Sequence, residues 1–248
     1  MNQTMMRDIG TIPRIAHDEA MQIAQVENDR FARQLRSFED ADWTKPTDCT
    51  RWDVRALAAH VIGSAAGQAS PREFVRQVRK GRPLTAEAGE FWWDGMNELQ
   101  VRERGARSAD QLISEWESTS RCALRSRDRL PRLIARLPLL KLPEPVGRQP
   151  VSYLFDTGFT RDVWMHRIDL AHATGRPFEV DHAHDGRIVA EWASTHGEPF
   201  TLDLEGPAGG AYCAGSGGEH VQSDAIEFCR ILAERVHGNG IMSHPLPL

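Results

Sequence analysis

Three residues of this 248-residue chain have side chains that could together hold a divalent metal ion: His60, Asp162 and His166. Asp162 and His166 are four positions apart, so on a helix their side chains project from the same side, one turn apart. A carboxylate with two imidazoles can bind a metal and leave coordination positions open, as catalytic sites require. Taken separately, His60 is more typical of an ordinary core histidine, and the other two residues are more typical of an ordinary helix pair. Taken together, the three residues predict a metal site.

The segments that carry these residues have helical patterns. Asp53 is predicted to be the N-cap of a helix that contains His60. Pro150 is predicted to be the first residue of a helix that runs to about Ala173 and contains the other two residues. Apolar spacing and helix-start signals predict further helices near residues 13–38, from Pro71 and from Ser108, with a loop over 81–89. Long helices over roughly the first 175 residues predict a bundle.

The pattern changes after Gly175. A helix near residues 183–196 is followed by F-T-L-D-L-E, which alternates apolar and polar residues as a half-buried strand does. Glycine-rich turns flank a further short strand, and Asp224 with Glu227 resembles a capping pair at the start of a last helix. The chain is therefore predicted to be mainly α with a small α+β part, in two domains, 1–178 and 179–248.

Composition narrows the classes of partner. The net charge is −5 at pH 7, and no long basic block is present, which argues against nucleic acid. The four cysteines include no C-x-x-C pair, so reduced thiols in a cytoplasmic protein are expected. The chain has no apolar signal core and no apolar run of ~18 residues, so neither export nor membrane spanning is predicted.

Two motifs and the tail resemble a known family. W-T-K-P-T-D-C-T-R-W-D-V-R-A-L-A-A-H-V resembles the second-helix signature of the DinB-like superfamily. It is most similar to the actinobacterial mycothiol-dependent maleylpyruvate isomerase family, whose second metal motif resembles R-D-V-W-M-H-R-I-D-L-A-H-A-T-G-R-P. The tail, with G-P-A-G-G and D-A-I-E-F-C-R-I-L-A-E-R, resembles that family's sterol-carrier-like C-terminal domain.

The resemblance implies a DinB-like four-helix bundle that binds a divalent metal, often zinc, followed by the small C-terminal domain. His60, Asp162 and His166 match the ligand positions, and the name-giving member has Glu where this chain has Asp162. Arg235 is near the position of an arginine that helps to hold the thiol cofactor in the family. The residue before it is Glu234, where relatives have glycine.

The resulting hypothesis is a metal-dependent isomerase or S-transferase that uses mycothiol or a similar thiol on a small electrophilic molecule. The catalytic group would be a metal-bound thiol or water. Two alternatives stay open: a non-catalytic small-molecule-binding protein of the same fold, and a metal-dependent hydrolase.

Neighbouring residues also have two interpretations each. Arg161 and Arg167 are either anchors for an anionic substrate or part of a solvated helix face. Asp169 either orients a metal ligand or is a surface acid. Cys49 is expected to be a core residue and not a nucleophile.

Overall fold

The computed structural model describes residues 6–89, 91–142, 146–195, 199–243 and 246. The chain forms two compact units, neither of which is continuous in sequence. The bundle unit comprises His17–Ile134 and Asp162–Phe178. The sheet unit comprises the segment up to Ala16, the segment Ala135–Arg161 and the chain from Glu179 onward.

Four long helices dominate the bundle unit: α1 (His17–Arg36), α2 (Val54–Ala69), α6 (Ala109–Asp128) and α8 (Phe159–Thr174), the last of which begins in the sheet unit. Shorter helices join them: α3 (Pro71–Gly81), α4 (Thr85–Ala88), α5 (Trp92–Arg104) and α7 (Arg132–Ala135). A short 3-10 helix at Asp40–Thr44 connects α1 to the segment before α2.

Local sequence signals explain where the helices around the site begin. The Asp53 carboxylate accepts a hydrogen bond from the Ala56 backbone N–H at 2.8 Å and caps α2, as predicted. Ser70 caps α3, and Pro71 occupies its first position, where no N–H partner is needed. Ser108 opens α6 with a reciprocal capping box. These caps fix the register of the helices along the chain.

One apolar core holds the bundle together. It includes Phe31, Trp43, Leu57, Ile62, Leu112, Trp116 and Leu170, which come from every long helix and from the Asp40–Thr44 segment. The α2 helix packs against α3, α5 and α6, so it is the central helix of the unit. Burial of large apolar side chains stabilises this arrangement by about 1.5–3 kcal/mol each. The same core contains residues of α2 and α8, the two helices that carry His60, Asp162 and His166.

The sheet unit contains a four-stranded sheet in the order β1-β5-β4-β6. Its strands are β1 (Arg7–Asp8), β4 (Phe200–Glu205), β5 (Gly210–Ala214) and β6 (Glu219–Asp224). β4 pairs antiparallel with β5 and parallel with β6, placing Leu202 opposite both Tyr212 and Val221. Two further strands, β2 (Leu140–Lys141) and β3 (Arg148–Gln149), form a separate antiparallel pair. Helices α9 (Asp185–Ala193) and α10 (Ala225–Leu232) complete the unit.

The fold prediction, mainly α with a small α+β part, is confirmed. Asp224 caps α10 by accepting from two backbone N–H groups, although Glu227 bonds Arg230 and does not reach back to the cap. The loop predicted over 81–89 is wrong, because a 3-10 turn and α4 fill most of it.

Two helical features went unpredicted. The sequence interpretation did not include α5. The helix after Pro150 begins with a π-helical stretch at Tyr153–Gly158 before α8. Within the described residues, none of the helices combines the length and the apolar character that a membrane crossing needs.

The domain division at 178/179 stays a prediction. The chain does change from the bundle unit to the sheet unit between Phe178 and Glu179. The sheet unit also includes two earlier segments, and strand β1 from the first of them pairs with β5.

Candidate metal centre

The bundle unit brings His60, Asp162 and His166 together, although about a hundred residues separate the first from the others. His60 projects from the middle of α2, and the other two project from adjacent turns of α8. Asp162 Oδ1 lies 3.3 Å from Nε2 of His166 and 3.5 Å from Nε2 of His60. Both histidines are buried, at 3% exposure, and the Asp162 side chain is 16% exposed. Three potential ligand atoms thus converge, with the carboxylate nearest to solvent.

The spacing of these atoms fits a small divalent cation. Zinc binds imidazole nitrogen and carboxylate oxygen at about 2.1 Å in a tetrahedral arrangement, which places neighbouring ligand atoms about 3.4 Å apart. The two separations from Asp162 Oδ1, 3.3 and 3.5 Å, straddle that value. The donor set of two nitrogens and one oxygen suits zinc and other first-row divalent metals. Asp162 therefore fits the ligand position despite being one methylene shorter than glutamate.

The three side chains shift one another's pKa values. Burial by itself would raise the pKa of Asp162, but the imidazoles of His60 and His166 lower it more, so the net shift is downward. Burial would lower the pKa of His166, but Asp162, with help from Asp169, raises it well above the usual value. In the metal-free protein a proton on His166 thus balances the carboxylate. A metal must displace that proton, so binding is coupled to pH.

A second carboxylate fixes the orientation of His166. Nδ1 of His166 donates to Oδ2 of Asp169 at 2.9 Å, and Asp169 is fully buried. The thiol of Cys49 donates to the same oxygen at 3.5 Å. A carboxylate behind a ligating histidine sets its tautomer and increases its basicity. The surface-acid interpretation of Asp169 is therefore wrong, and its contact is the one expected of a residue that orients a ligand.

The other histidine, His60, contacts a residue of the segment before α2 and a residue of α5. The Trp52 ring stacks on the His60 imidazole, with centroids 5.0 Å apart and planes inclined by 30°. Nδ1 of His60 lies 2.9 Å from Oε1 of Gln100, a fully buried residue of α5. Sequence reasoning missed Gln100, because α5 itself was not predicted. A polar residue at a helix position facing the core is the signal that could have found it.

Arg161 and Arg167 flank the trio in sequence, but both are buried at 2% exposure, so the solvated-face interpretation is wrong for each. In the sheet unit, Arg161 donates to Glu191 at 2.8 Å and stacks over the ring of Trp192. In the bundle unit, Arg167 donates to the fully buried Glu27 at 2.7 Å. Both guanidinium groups thus already have carboxylate partners within their own unit.

Arg235 lies in the sheet unit, three residues after α10 ends. Its guanidinium donates to the Ala233 carbonyl at 2.8 Å, and the preceding residue, Glu234, has a positive φ of 60°. Glycine adopts that backbone conformation at little cost, whereas glutamate does not. The cofactor-binding role of Arg235 stays a prediction.

The chain is similar to known proteins in its fold and, over part of its length, in its sequence. Two crystal structures are similar in fold: one of mycothiol-dependent maleylpyruvate isomerase, and one of a histidine-to-alanine variant of that enzyme. Each has 17% sequence identity and a TM-score of 0.57; the alignment covers 95% of both chains for the first and 93% of both for the second. No curated protein sequence matches the chain. A family model described as the mycothiol maleylpyruvate isomerase N-terminal domain matches residues 24–171, which is more than half of the chain. The chain therefore belongs to the mycothiol maleylpyruvate isomerase N-terminal domain family.

Proposed function

We propose that this protein is a metal-dependent enzyme that uses a low-molecular-weight thiol, mycothiol or a close analogue, either to isomerise a small electrophilic molecule or to transfer the thiol onto it. The observation that carries the proposal is the convergence of His60, Asp162 and His166 at separations that suit a tetrahedral cation. Family membership supports the choice of thiol, and so does the similarity in fold to a mycothiol-dependent maleylpyruvate isomerase.

Each residue of the site has a separate role in holding a cation. His60 and His166 each direct Nε2 toward Asp162, which supplies the negative charge that favours a divalent ion. Asp169 keeps the remaining proton of His166 on Nδ1, away from the site. The bound metal, zinc in our proposal, would lower the pKa of a thiol or a water in an open position and so supply a nucleophile at neutral pH.

The protein's own cysteines are poorly suited to be the nucleophile. Cys49 is the thiol near the site, but it is half-buried and donates to Asp169. Burial raises the pKa of Cys229 to far above that of an ordinary thiol. An external thiol is therefore the better candidate, and we propose Arg235 as an anchor for its carboxylate. Four free cysteines support a reducing, cytoplasmic setting.

The first test is metal analysis of the full chain purified without chelators, followed by zinc titration. His166→Ala is expected to abolish stoichiometric binding. The matched control is His172→Ala, which removes an exposed histidine of the same helix that bonds Asp48. Full metal occupancy in His166→Ala, or equal loss in the control, would contradict the site assignment.

The second test separates the reaction classes. The metal-loaded protein is incubated with cis-configured and other electrophilic small molecules, with and without mycothiol. Thiol-dependent conversion supports the proposal. Thiol-independent ester or amide cleavage would indicate a hydrolase instead. Tight ligand binding with no conversion across the panel would indicate a binding protein.

A further inference from the structure

A chain of buried amides runs from His60 on α2 to the start of α3. Oε1 of Gln100 lies 2.9 Å from Nδ1 of His60, and Nε2 of Gln100 donates to Oε1 of Gln77 at 2.8 Å. Nε2 of Gln77 donates to the backbone carbonyl of Gly63 and to the Glu73 carboxylate, both at 3.0 Å. Gln77 and Gln100 are fully buried, so water does not compete for these hydrogen bonds.

The two acceptors at the outer end of this hydrogen-bonded series, the Gly63 carbonyl and the Glu73 carboxylate, fix the direction of every hydrogen bond in it. A backbone carbonyl and an ionised carboxylate can only accept, so the Gln77 amide must present its NH₂ group to Gly63 and Glu73. Its oxygen then faces Gln100, which must donate to it through NH₂. The oxygen of Gln100 is left to face His60. The orientation of both amides therefore follows from donors and acceptors alone.

We propose that Gln77 and Gln100 are positioning residues that hold the proton of neutral His60 on Nδ1, so that the Nε2 lone pair faces Asp162 and His166. The inference rests on the proposed function in that it takes Nε2 of His60 as a metal ligand. A histidine ligand whose proton sat on Nε2 would first have to change tautomer. The two glutamines remove that cost before a metal arrives, in the way that carboxylates and carbonyls do behind other ligating histidines.

The sequence of α2 is adapted to this network. Gly63 and Gly67 follow His60 at three and seven positions, on the face of α2 that the two glutamines approach. A Cβ at Gly63 would lie 2.5 Å from Cβ of Gln100, and one at Gly67 would lie 3.0 Å from Oε1 of Gln77. Any larger residue at Gly63 would push the Gln100 side chain away from His60. Glycine at these two positions therefore leaves the space that the side-chain amides of Gln77 and Gln100 occupy.

The outer end of the network is held by ion pairs. Arg76 donates to the Glu73 carboxylate at 2.6 Å, and also to Glu103 at 2.6 Å. The hydrogen bond from Arg76 lowers the pKa of Glu73, and desolvation only partly opposes it. Glu73 consequently stays an acceptor through the neutral range. This fixed acceptor is what prevents Gln77 from turning its amide around.

The decisive measurement is the tautomer of His60 in the metal-free full-length protein, read from imidazole ¹⁵N chemical shifts in long-range ¹H–¹⁵N spectra at a pH where the ring is neutral. His60→Gln assigns the signal. Wild-type protein is expected to show one form, protonated at Nδ1. Observation of the Nε2-protonated form in the wild type would overturn the proposal without any further variant.

Variants of Gln77 test the relay, because this residue touches no proposed metal ligand. In Gln77→Leu and Gln77→Met the Gln100 amide is free to turn, so a mixture of His60 tautomers is expected. Zinc affinity should then fall in proportion to the fraction of Nδ1-protonated His60 that is lost, which is about twofold for an equal mixture. The matched control is Gln68→Leu, which removes a buried amide of α2 that bonds only Ser64 in the described structure. A single Nδ1-protonated form in folded Gln77 variants would overturn the relay.

The zinc titration separates this inference from the proposed function. If wild-type protein binds no zinc, the proposed function fails, whereas the tautomer measurement still decides whether the glutamines orient His60. If wild-type protein binds zinc and the Gln77 variants bind it as tightly as the Gln68→Leu control does, the metal-positioning role of Gln77 is refuted. Weaker binding confined to the Gln77 variants, together with mixed tautomers, supports the inference.

Discussion

Replacing Asp169 with asparagine should weaken zinc binding without removing any proposed ligand. Asp169 is fully buried, and its Oδ2 accepts from Nδ1 of His166 at 2.9 Å. Asn has the same shape and retains one acceptor oxygen, so the substitution removes mainly the charge behind the imidazole. Partners of this kind typically contribute 10- to 100-fold to metal affinity, which is about 1.4–2.8 kcal/mol. We expect Asp169→Asn near the lower value, and Asp169→Ala, which removes the acceptor, near the upper.

The pH dependence of this loss is the sharper part of the prediction. Burial lowers the pKa of His166, while Asp162 and the hydrogen bond to Asp169 raise it. Without the Asp169 charge, the pKa of His166 falls, and the proton competes less strongly with the metal at low pH. The deficit in zinc affinity should therefore be largest above the pKa of His166 and should shrink as the pH falls below it.

The assay is competitive zinc titration against a chromophoric chelator at several pH values, with far-UV circular dichroism to confirm the fold. The control is Asp203→Asn, which breaks an exposed Asp–His pair with His220 in the sheet unit at 2.8 Å. The reasoning is refuted if Asp169→Asn binds zinc as wild type does at every pH, or if its deficit does not vary with pH.

Three further perturbations have defined outcomes. His60→Ala and His166→Ala should each remove most bound zinc, measured by elemental analysis, while far-UV helicity stays nearly intact; retained zinc would contradict the ligand assignment. Asp162→Asn should weaken zinc binding more than Asp162→Glu, because Asn loses the charge that favours a divalent cation; the reverse order would show a site built tightly around the shorter acid. Asp42→Asn should lower the free energy of unfolding by about 1–3 kcal/mol, because this buried carboxylate bonds Lys45 and Arg176. Its hydrogen bonds hold its pKa well below the usual value, so the wild-type advantage in urea denaturation should be present at neutral pH and fade as the pH falls below about 4; an advantage that persists in acid would contradict this.

The sequence by itself determined the class of fold and identified the three proposed ligands. The i, i+4 spacing of Asp162 and His166 requires only a helix, and the helix signals around both motifs are local. The N-cap at Asp53 was predictable for the same reason, because a capping side chain accepts a hydrogen bond from a backbone N–H only a few residues away. The resemblance of both motifs to one family then connected His60 to the pair on α8.

Only the tertiary structure decided what surrounds the trio. Gln100 and Gln77 come from α5 and α3, and no local pattern shows that their amides meet His60. The same holds for Asp169, whose helical position fits equally a surface acid and a buried partner of His166 until packing buries it. The sequence shows which residues can bind a metal through their chemistry and spacing. Long-range packing decides which buried partners fix their protons, because those contacts join helices far apart in the chain.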